Sequence, residues 1–412
     1  MYQVSRPPSA SDANLLDRAV ELIGMRGLRG VATRAIAEHA GVSPALVNYR
    51  FGSRAGLIDA ALERASAADA EAWQQRRMRI ENLNLAASDI RSLLHGLVRE
   101  DFVAGRRAAL SRWASIVETE RTGDHAAMSW RWMSSPARFW EFTLGKLGLD
   151  AELAPILAAT LLSSGLPYLF ANPSFEHEAW VHDLVDRVAD RLLGLKPATR
   201  GDSPWRQLAE RAAEEHLASH PPRDDAGHAV RTIIDGAVAI VMSDGVDALT
   251  HRAVAERAGV SLSSTTHHFA SLDEILIAAC IEVYRRARAS ALDPSGAVRP
   301  FTLEQMTETL TSEPGPEANL RAEMATIHEV MIAISRTPAV RPIAVGLLAQ
   351  TGRTSTAALA AMRGKRDDTD RIDGQIFAHA MTGYFLLTTS APSELRSKHL
   401  DALAAFMNAV WC

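Results

Sequence analysis

The chain of 412 residues has only two cysteines, Cys280 and Cys412. That is too few for a disulfide framework or a structural zinc site. No apolar run approaches the roughly 18 residues of a membrane span. The N-terminal MYQVSRPPSASD has no apolar core of the signal-peptide kind and reads as a short disordered arm. Positive charge is not in excess: the net charge is −5 and the pI about 6.3. This argues against non-specific coating of nucleic acid, though not against a local basic face. No G-x-S-x-G, phosphate-binding glycine loop or H-E-x-x-H occurs, so nothing assembles a nucleophile with a base. His216, His220 and His228 are the nearest approach to a metal cluster, but they fall in a linker without a cysteine nearby. The expectation is a cytoplasmic protein that is not an enzyme, with no metal and no cofactor.

What the chain does have is a repeat. Arg34 to Phe51 reads RAIAEHAGVSPALVNYRF, and Arg252 to Phe269 reads RAVAERAGVSLSSTTHHF. Gly41 pairs with Gly259 at an offset of 218 residues, and the same offset pairs Gly27 with Gly245, Phe51 with Phe269 and Ser53 with Ser271. A period this long is a duplicated domain, not a solenoid repeat. Farther on, the offset still pairs Gly165 with Gly383 and Leu169 with Leu387, so each half is a complete unit.

Each copy has a helical apolar rhythm, a glycine break and a second helical rhythm. Ile36, Ala37 and Ala40 form one apolar edge, Gly41 breaks the helix, and Ser43 precedes a helix carrying Leu46, Val47 and Phe51. Glycine supplies the left-handed backbone of a sharp turn. Serine caps the next helix, and Pro44 suits its first position. The pattern is a helix-turn-helix, whose second helix normally enters the DNA major groove. Leu46, Val47, Phe51, Thr265 and Phe269 read as core.

The stretch AVELIGMRGLRGVATRAIAEHAGVSPALVNYRFGSRAGLI resembles the DNA-binding head of TetR-family transcriptional regulators. GVSLSSTTHHFASLDEIL resembles a second branch of that family, although Leu272, Asp273 and Glu274 stand where many members carry basic residues. The resemblance covers about 50 residues of each half. It implies an all-α fold of two tandem units, each with a three-helix head and a helical ligand-binding and dimerisation domain. It also implies a double-stranded DNA operator, bound by two recognition helices about 34 Å apart.

Carried over residue by residue, Arg34 and Arg252 are candidate base contacts. Pro44, Ala45 and Asn48 would face base edges, with Tyr49, Arg50 and Arg54 toward phosphates, and Ser43 is a further DNA-binding candidate at the start of the helix. In the second head Leu262, Ser263 and Thr266 take the base-facing places, His267 and His268 the backbone-facing ones, and Ser261 is a further DNA-binding candidate. Phosphate contacts position while base contacts specify.

The expected division is an arm over 1–12, a head over 13–60, a helical domain over 61–195, a linker with a helix over 196–226, a second head over 227–278 and a second helical domain over 279–412. Glycines and prolines at 105, 123, 136, 148 and 155 are read as helix breaks. Two late helix pairs, Ala151–Phe170 with His177–Leu195 and Ile372–Thr389 with Leu395–Trp411, are expected to pack on each other as an intrachain pseudo-dimer. Such linkage makes an association intramolecular. The remaining helices would enclose a pocket for a small, apolar effector. Trp113 and Trp140 are its candidates in the first half, Met331 and Met381 in the second. The competing reading makes the second head a degenerate interaction partner.

Overall fold

The computed structural model describes residues 10–165, 169, 175–195, 203–218, 227–290, 316–338, 340, 343–344, 346–347, 351–363 and 369–411. Among the described residues there are helices and no strands. In the first half the helices are α1 (Ala10–Arg26), α2 (Thr33–Ala40), α3 (Pro44–Phe51), α4 (Arg54–Glu81), α5 (Ile90–Arg99), α6 (Arg106–Thr122), α7 (Ala126–Lys146), α8 (Ala154–Ser164) and α9 (Phe175–Leu192). The connecting helix is α10 (Pro204–Ala218). The second half runs through α11 (His228–Asp244), α12 (His251–Ala258), α13 (Leu262–His268), α14 (Leu272–Ser290), α15 (Pro316–Arg336), α16 (Arg353–Met362), α17 (Arg371–Ser390) and α18 (Arg396–Trp411).

Two expectations are corrected. Helix α1 begins at Ala10, so residues 10–12 are not part of an arm; residues 1–9 lie outside the described residues. Pro136 does not end a helix but sits inside α7, buried, with Ser135 Oγ donating to the Arg131 carbonyl beside it. Proline removes one backbone hydrogen bond of the helix there, and its ring is buried in return. Gly105 does stand at a helix boundary: a π turn over Glu100–Ala104 extends α5, is closed by Gly105 N–H donating to the Glu100 carbonyl at 2.9 Å, and α6 starts at the next residue. The expected Ala151–Phe170 helix is described as α8 after a short turn at Ala151–Leu153; Phe170 lies outside the described residues.

The centre of the molecule is the meeting of α8 and α9 with α17 and α18, each pair touching both members of the other. Gly383 makes the α8–α17 crossing close: a Cβ there would stand 2.7 Å from the Ala159 carbonyl carbon and 2.9 Å from the Thr160 nitrogen. Around this crossing lies an unbroken apolar core that includes Ile156, Leu157, Leu184, Val188, Ile376, Phe377, Leu403 and Phe406.

The core also contains charge. Arg187 of α9 donates to Asp370 at 2.8 and 3.0 Å and to Asp373 at 2.9 Å. Arg191, one turn later, donates to Asp373 at 2.8 and 3.1 Å, and Trp411 Nε1 reaches the same carboxylate at 3.3 Å. Asp370 also caps α17, accepting from the Ile372 and Asp373 amides. Trp180 Nε1 donates to Gln375 Oε1 at 3.0 Å, and Ser163 Oγ meets His379 Nδ1 at 2.8 Å.

Gly383→Ala should lower thermal stability by about 2 kcal/mol, the usual cost of forcing atoms into a packed core. Gly145→Ala, also helical but with open space around the added methyl, should raise it by up to about 1 kcal/mol, since alanine is the better helix former. Equal effects from the two would mean that α8 and α17 are not so close.

Burial, with a smaller contribution from nearby His328, lowers the His379 pKa to about 4. An unfolded histidine titrates near 6.5. As pH falls through the window from 6.5 to 4, the unfolded chain therefore takes the proton first and stability is lost. Urea midpoints of the parent should fall more steeply across that window than those of His379→Gln; parallel curves would exclude the buried neutral imidazole.

Candidate DNA-binding heads

In the first head, Leu15, Ala19, Leu22 and Ile23 of α1 bury against Ile36, Ala37, Val47, Leu57 and Leu62, a core of its own that closes on Ala114, Met128 and Trp132. Gly41 takes φ 68° and Gly259 takes φ 65°, so both turns use the left-handed glycine that the repeat implies. Ser43 Oγ accepts from Leu46 N at 3.2 Å, and Ser261 Oγ from Ser264 N at 3.1 Å. These two serines cap the recognition helices α3 and α13. Val47, Thr265 and Phe269 are buried, whereas Leu46 and Phe51 are half-buried.

The outward face of α3 consists of Pro44, Ala45, Asn48, Tyr49 and Arg50, all exposed, with Tyr49 reaching 86%. Arg50 pairs with Asp12, which anchors the start of α1 to the end of α3. Arg34 is exposed and donates from Nε to Glu38 at 2.9 Å. Arg54 is placed differently from the phosphate-facing expectation. Its guanidinium donates to the Val31 carbonyl at 2.7 Å and to the Leu28 carbonyl, tying α4 to the turn after α1.

In the second head, Arg252, Leu262, Ser263, Thr266 and His267 are exposed and His268 is half-buried. Thr266 Oγ1 donates back to the carbonyls of Leu262 and Ser263, and the Ser261 and Ser263 hydroxyls meet at 2.9 Å. The imidazoles of His267 and His268 stand edge to face, 5.1 Å apart. Helix α13 ends a residue sooner than α3, since Ala270 replaces the left-handed Gly52. The acidic Asp273–Glu274 has a structural role: Ser271 Oγ accepts from Glu274 N, and Glu274 accepts from Ala270 N, each at 3.2 Å. The two residues sit in the first turn of α14, where negative charge suits the helix dipole.

The heads also meet a shared junction that sequence reasoning missed. Arg29, just after α1, donates to the Asp244 carbonyl and lies 3.7 Å from Glu118. Arg336 donates to the Gly24 carbonyl at 3.2 Å and, with Asp247, crowds Gly27. Glu329 accepts from Val246 N at 3.0 Å. Burial raises the pKa of Glu118, Asp247 and Glu329 and lowers that of Arg336. The 218 offset pairs Arg29 with Asp247 and Glu118 with Arg336, so the charge order reverses between halves. That reversal was the available signal.

Behind the heads, a cavity of about 30 Å³ is lined by Trp73, Phe102, Arg112, Trp132, Trp140 and Leu161 among others. Trp140 lines it, while Trp113 does not and instead lies 5.4 Å from the His328 ring of the second half. Met331 is buried in the common core, and Met381 packs half-buried against it. The cavity wall includes charge as well as apolar surface: Arg112, 2% exposed, pairs with Asp101 and with Asp69 at 3.3 Å, and its Nε has no hydrogen-bond partner.

Arg54→Ala should destabilise the first head by about 1–2 kcal/mol, the scale of a hydrogen bond from a charged donor. It should leave the salt dependence of DNA binding nearly unchanged. A log–log salt slope shallower by about 0.9, the signature of one lost phosphate contact, would return Arg54 to the DNA face.

Residues 15–61 and again 233–279 match the family model described as bacterial regulatory proteins, tetR family. Comparison with curated proteins finds no match to this chain. No helix among the described residues is long and apolar enough to cross a membrane. Each half of the chain thus carries one region that matches the DNA-binding domain of the tetR family, in keeping with two TetR-like units in one chain.

Proposed function

We propose that the chain is a cytoplasmic repressor that grips a two-half-site DNA operator as a covalent pseudo-dimer, with one head on each half-site. The observation that carries this reading is the union of α8 and α9 with α17 and α18 within one chain. It seats both heads on one body without a second subunit. Because PALVNYR and LSSTTHH present different groups, the operator is asymmetric. In the first head Arg34, Pro44, Ala45 and Asn48 read bases while Tyr49 and Arg50 hold phosphates. In the second Arg252, Leu262, Ser263 and Thr266 read bases beside His267 and His268.

Release follows entry of a small effector into the first-half cavity. Its body is apolar, to suit Trp73, Trp132 and Trp140, and it carries an acceptor oxygen for the unpaired Arg112 N–H. The π turn at Glu100–Ala104 brings Asp101 and Phe102 to this cavity. The alternative role for the second head, as a partner that leaves DNA untouched, loses one support. Asp273 and Glu274 are explained by the start of α14.

Selection of bound DNA from a random pool, with footprinting of the winners, tests this. Two unlike half-sites protected by a species of 44.7 kDa in light scattering are expected. Arg34→Ala and Arg252→Ala should each relax one half-site only, by about 1–3 kcal/mol of base discrimination. Perfect palindromes bound by a particle of twice the mass would overturn the pseudo-dimer, and protection of a single half-site would make the second head a partner only.

A further inference from the structure

Helices α5 and α9 pack side by side and leave an open cleft of about 430 Å³, lined by His95, Arg99, Glu178, His182, Asp183 and Trp205 among others. His182 and Asp186 are four residues apart on α9, so they share one face of that helix. His95 comes from α5. Its Nε2 lies 2.8 Å from Asp186 Oδ1, and His182 Nδ1 lies 3.3 Å from Asp186 Oδ2. The two imidazoles are stacked with centroids 3.8 Å apart. One ligand atom from each of the three residues falls within 4.8 Å of the others.

Two imidazole nitrogens and one carboxylate oxygen form the donor set of zinc and its late first-row neighbours. Bonds of about 2.0–2.1 Å in a tetrahedron imply edges of about 3.3 Å between ligand atoms. The two histidine-to-Asp186 separations fall near that edge, each to a different carboxylate oxygen, so Asp186 would turn to present one oxygen to both. A smaller movement is therefore needed to close around a cation than to assemble a site from scattered side chains. Arg91 is the competitor, since its Nη1 lies 3.0 Å from Asp186 Oδ1. Arg91 also pairs with Asp190, which gives its charge a place to stay when Asp186 turns to a cation.

We propose that His95, His182 and Asp186 form a binding site for one divalent transition cation of the zinc type, with water or a carboxylate of the cleft, Glu178 or Asp183, in the fourth place. The cation joins α5 to α9 next to Arg187, the residue by which α9 holds the second half.

The test uses the full chain, stripped with chelator and titrated calorimetrically with ZnCl₂ in the absence of DNA, so its outcome is independent of the regulator reading. One equivalent is expected. The His95→Ala plus His182→Ala variant should bind about 100-fold more weakly or not at all, while Arg91→Ala should bind more tightly because the competing cation is gone. Cobalt(II) should give the visible absorption of a tetrahedral site in the parent and lose it in the double variant. Circular dichroism and thermal melts of both variants confirm that folding is kept; if the double variant does not fold, His182→Gln takes its place. Absence of zinc binding at micromolar concentrations would overturn the proposal. So would binding that survives the double substitution, or that disappears only when His216, His220 and His228 are replaced.

Discussion

The buried cluster of Arg187 and Arg191 with Asp370 and Asp373 is the constraint on which the arrangement of the two halves depends. Asp373 is fully buried and Arg187 is 3% exposed. Taking such charges out of water costs several kcal/mol per ion, which is recovered only when geometry is good and remaining donors and acceptors are engaged. Here both carboxylates are shared: Asp373 serves two arginines and an indole, and Asp370 serves an arginine and the first amides of α17. Apolar packing along α8 and α17 would tolerate some sliding. Directed bonds from one turn of α9 to one helix start do not, so they set the register of one half against the other.

The position of the heads follows from that register. The second head shares its core with the common body, through Ile233, Val238, Phe269 and Cys280, while the first keeps a separate core. The first head is therefore held to the second half largely by polar contacts: Arg29 on Asp244, and Arg336 on Gly24. A junction of buried carboxylates and guanidiniums is sensitive to small displacements, because each partner depends on the other's charge for its own burial. The cavity lies on the same path. Arg112 of its wall belongs to α6, which also carries Glu118 of the junction and packs on α1 and α15. The same helix α6 therefore touches both the cavity wall and the turn that carries Arg29.

Local features of the fold were legible in the sequence where chemistry is local. Gly41 and Gly259 require a left-handed turn, Ser43 and Ser261 require a helix start after it, and the offset of 218 states the duplication outright. The α8, α9, α17 and α18 stripes were readable because apolar residues recur at helical spacing. The partners of charged residues were not. Arg187 and Arg191 stand on the same stripe as Leu184 and Val188, but which acids they meet depends on a fold 180 residues away. The carbonyls that Arg54 reaches were hidden for the same reason, since its proximity to a recognition helix in sequence says nothing of them. Pro136 was read as a break because the rule for proline is local, whereas its burial is not. His95 and His182, 87 residues apart, become neighbours only through the packing of α5 on α9.

The duplication has also become irreversible in a physical sense. The 218 offset sets Glu152 and Pro155 opposite Asp370 and Asp373, and Ala405 and Ala409 opposite Arg187 and Arg191. Gln375 and His379 correspond to Leu157 and Leu161, and Trp180 corresponds to Lys398. None of these polar contacts therefore has a twin at the 218 offset. A copy of the second half pairing with itself would bury Asp370 and Asp373 against alanines, without a counter-charge. Removing one side of a buried ion pair costs about 3–5 kcal/mol, and here the loss would fall on both copies. The first half pairing with itself would set its arginines against one glutamate and a proline. Specificity of this kind comes from penalising the wrong partner as much as from rewarding the right one. With these positions diverged, two separate copies of either half have no symmetric pairing that satisfies the buried charges.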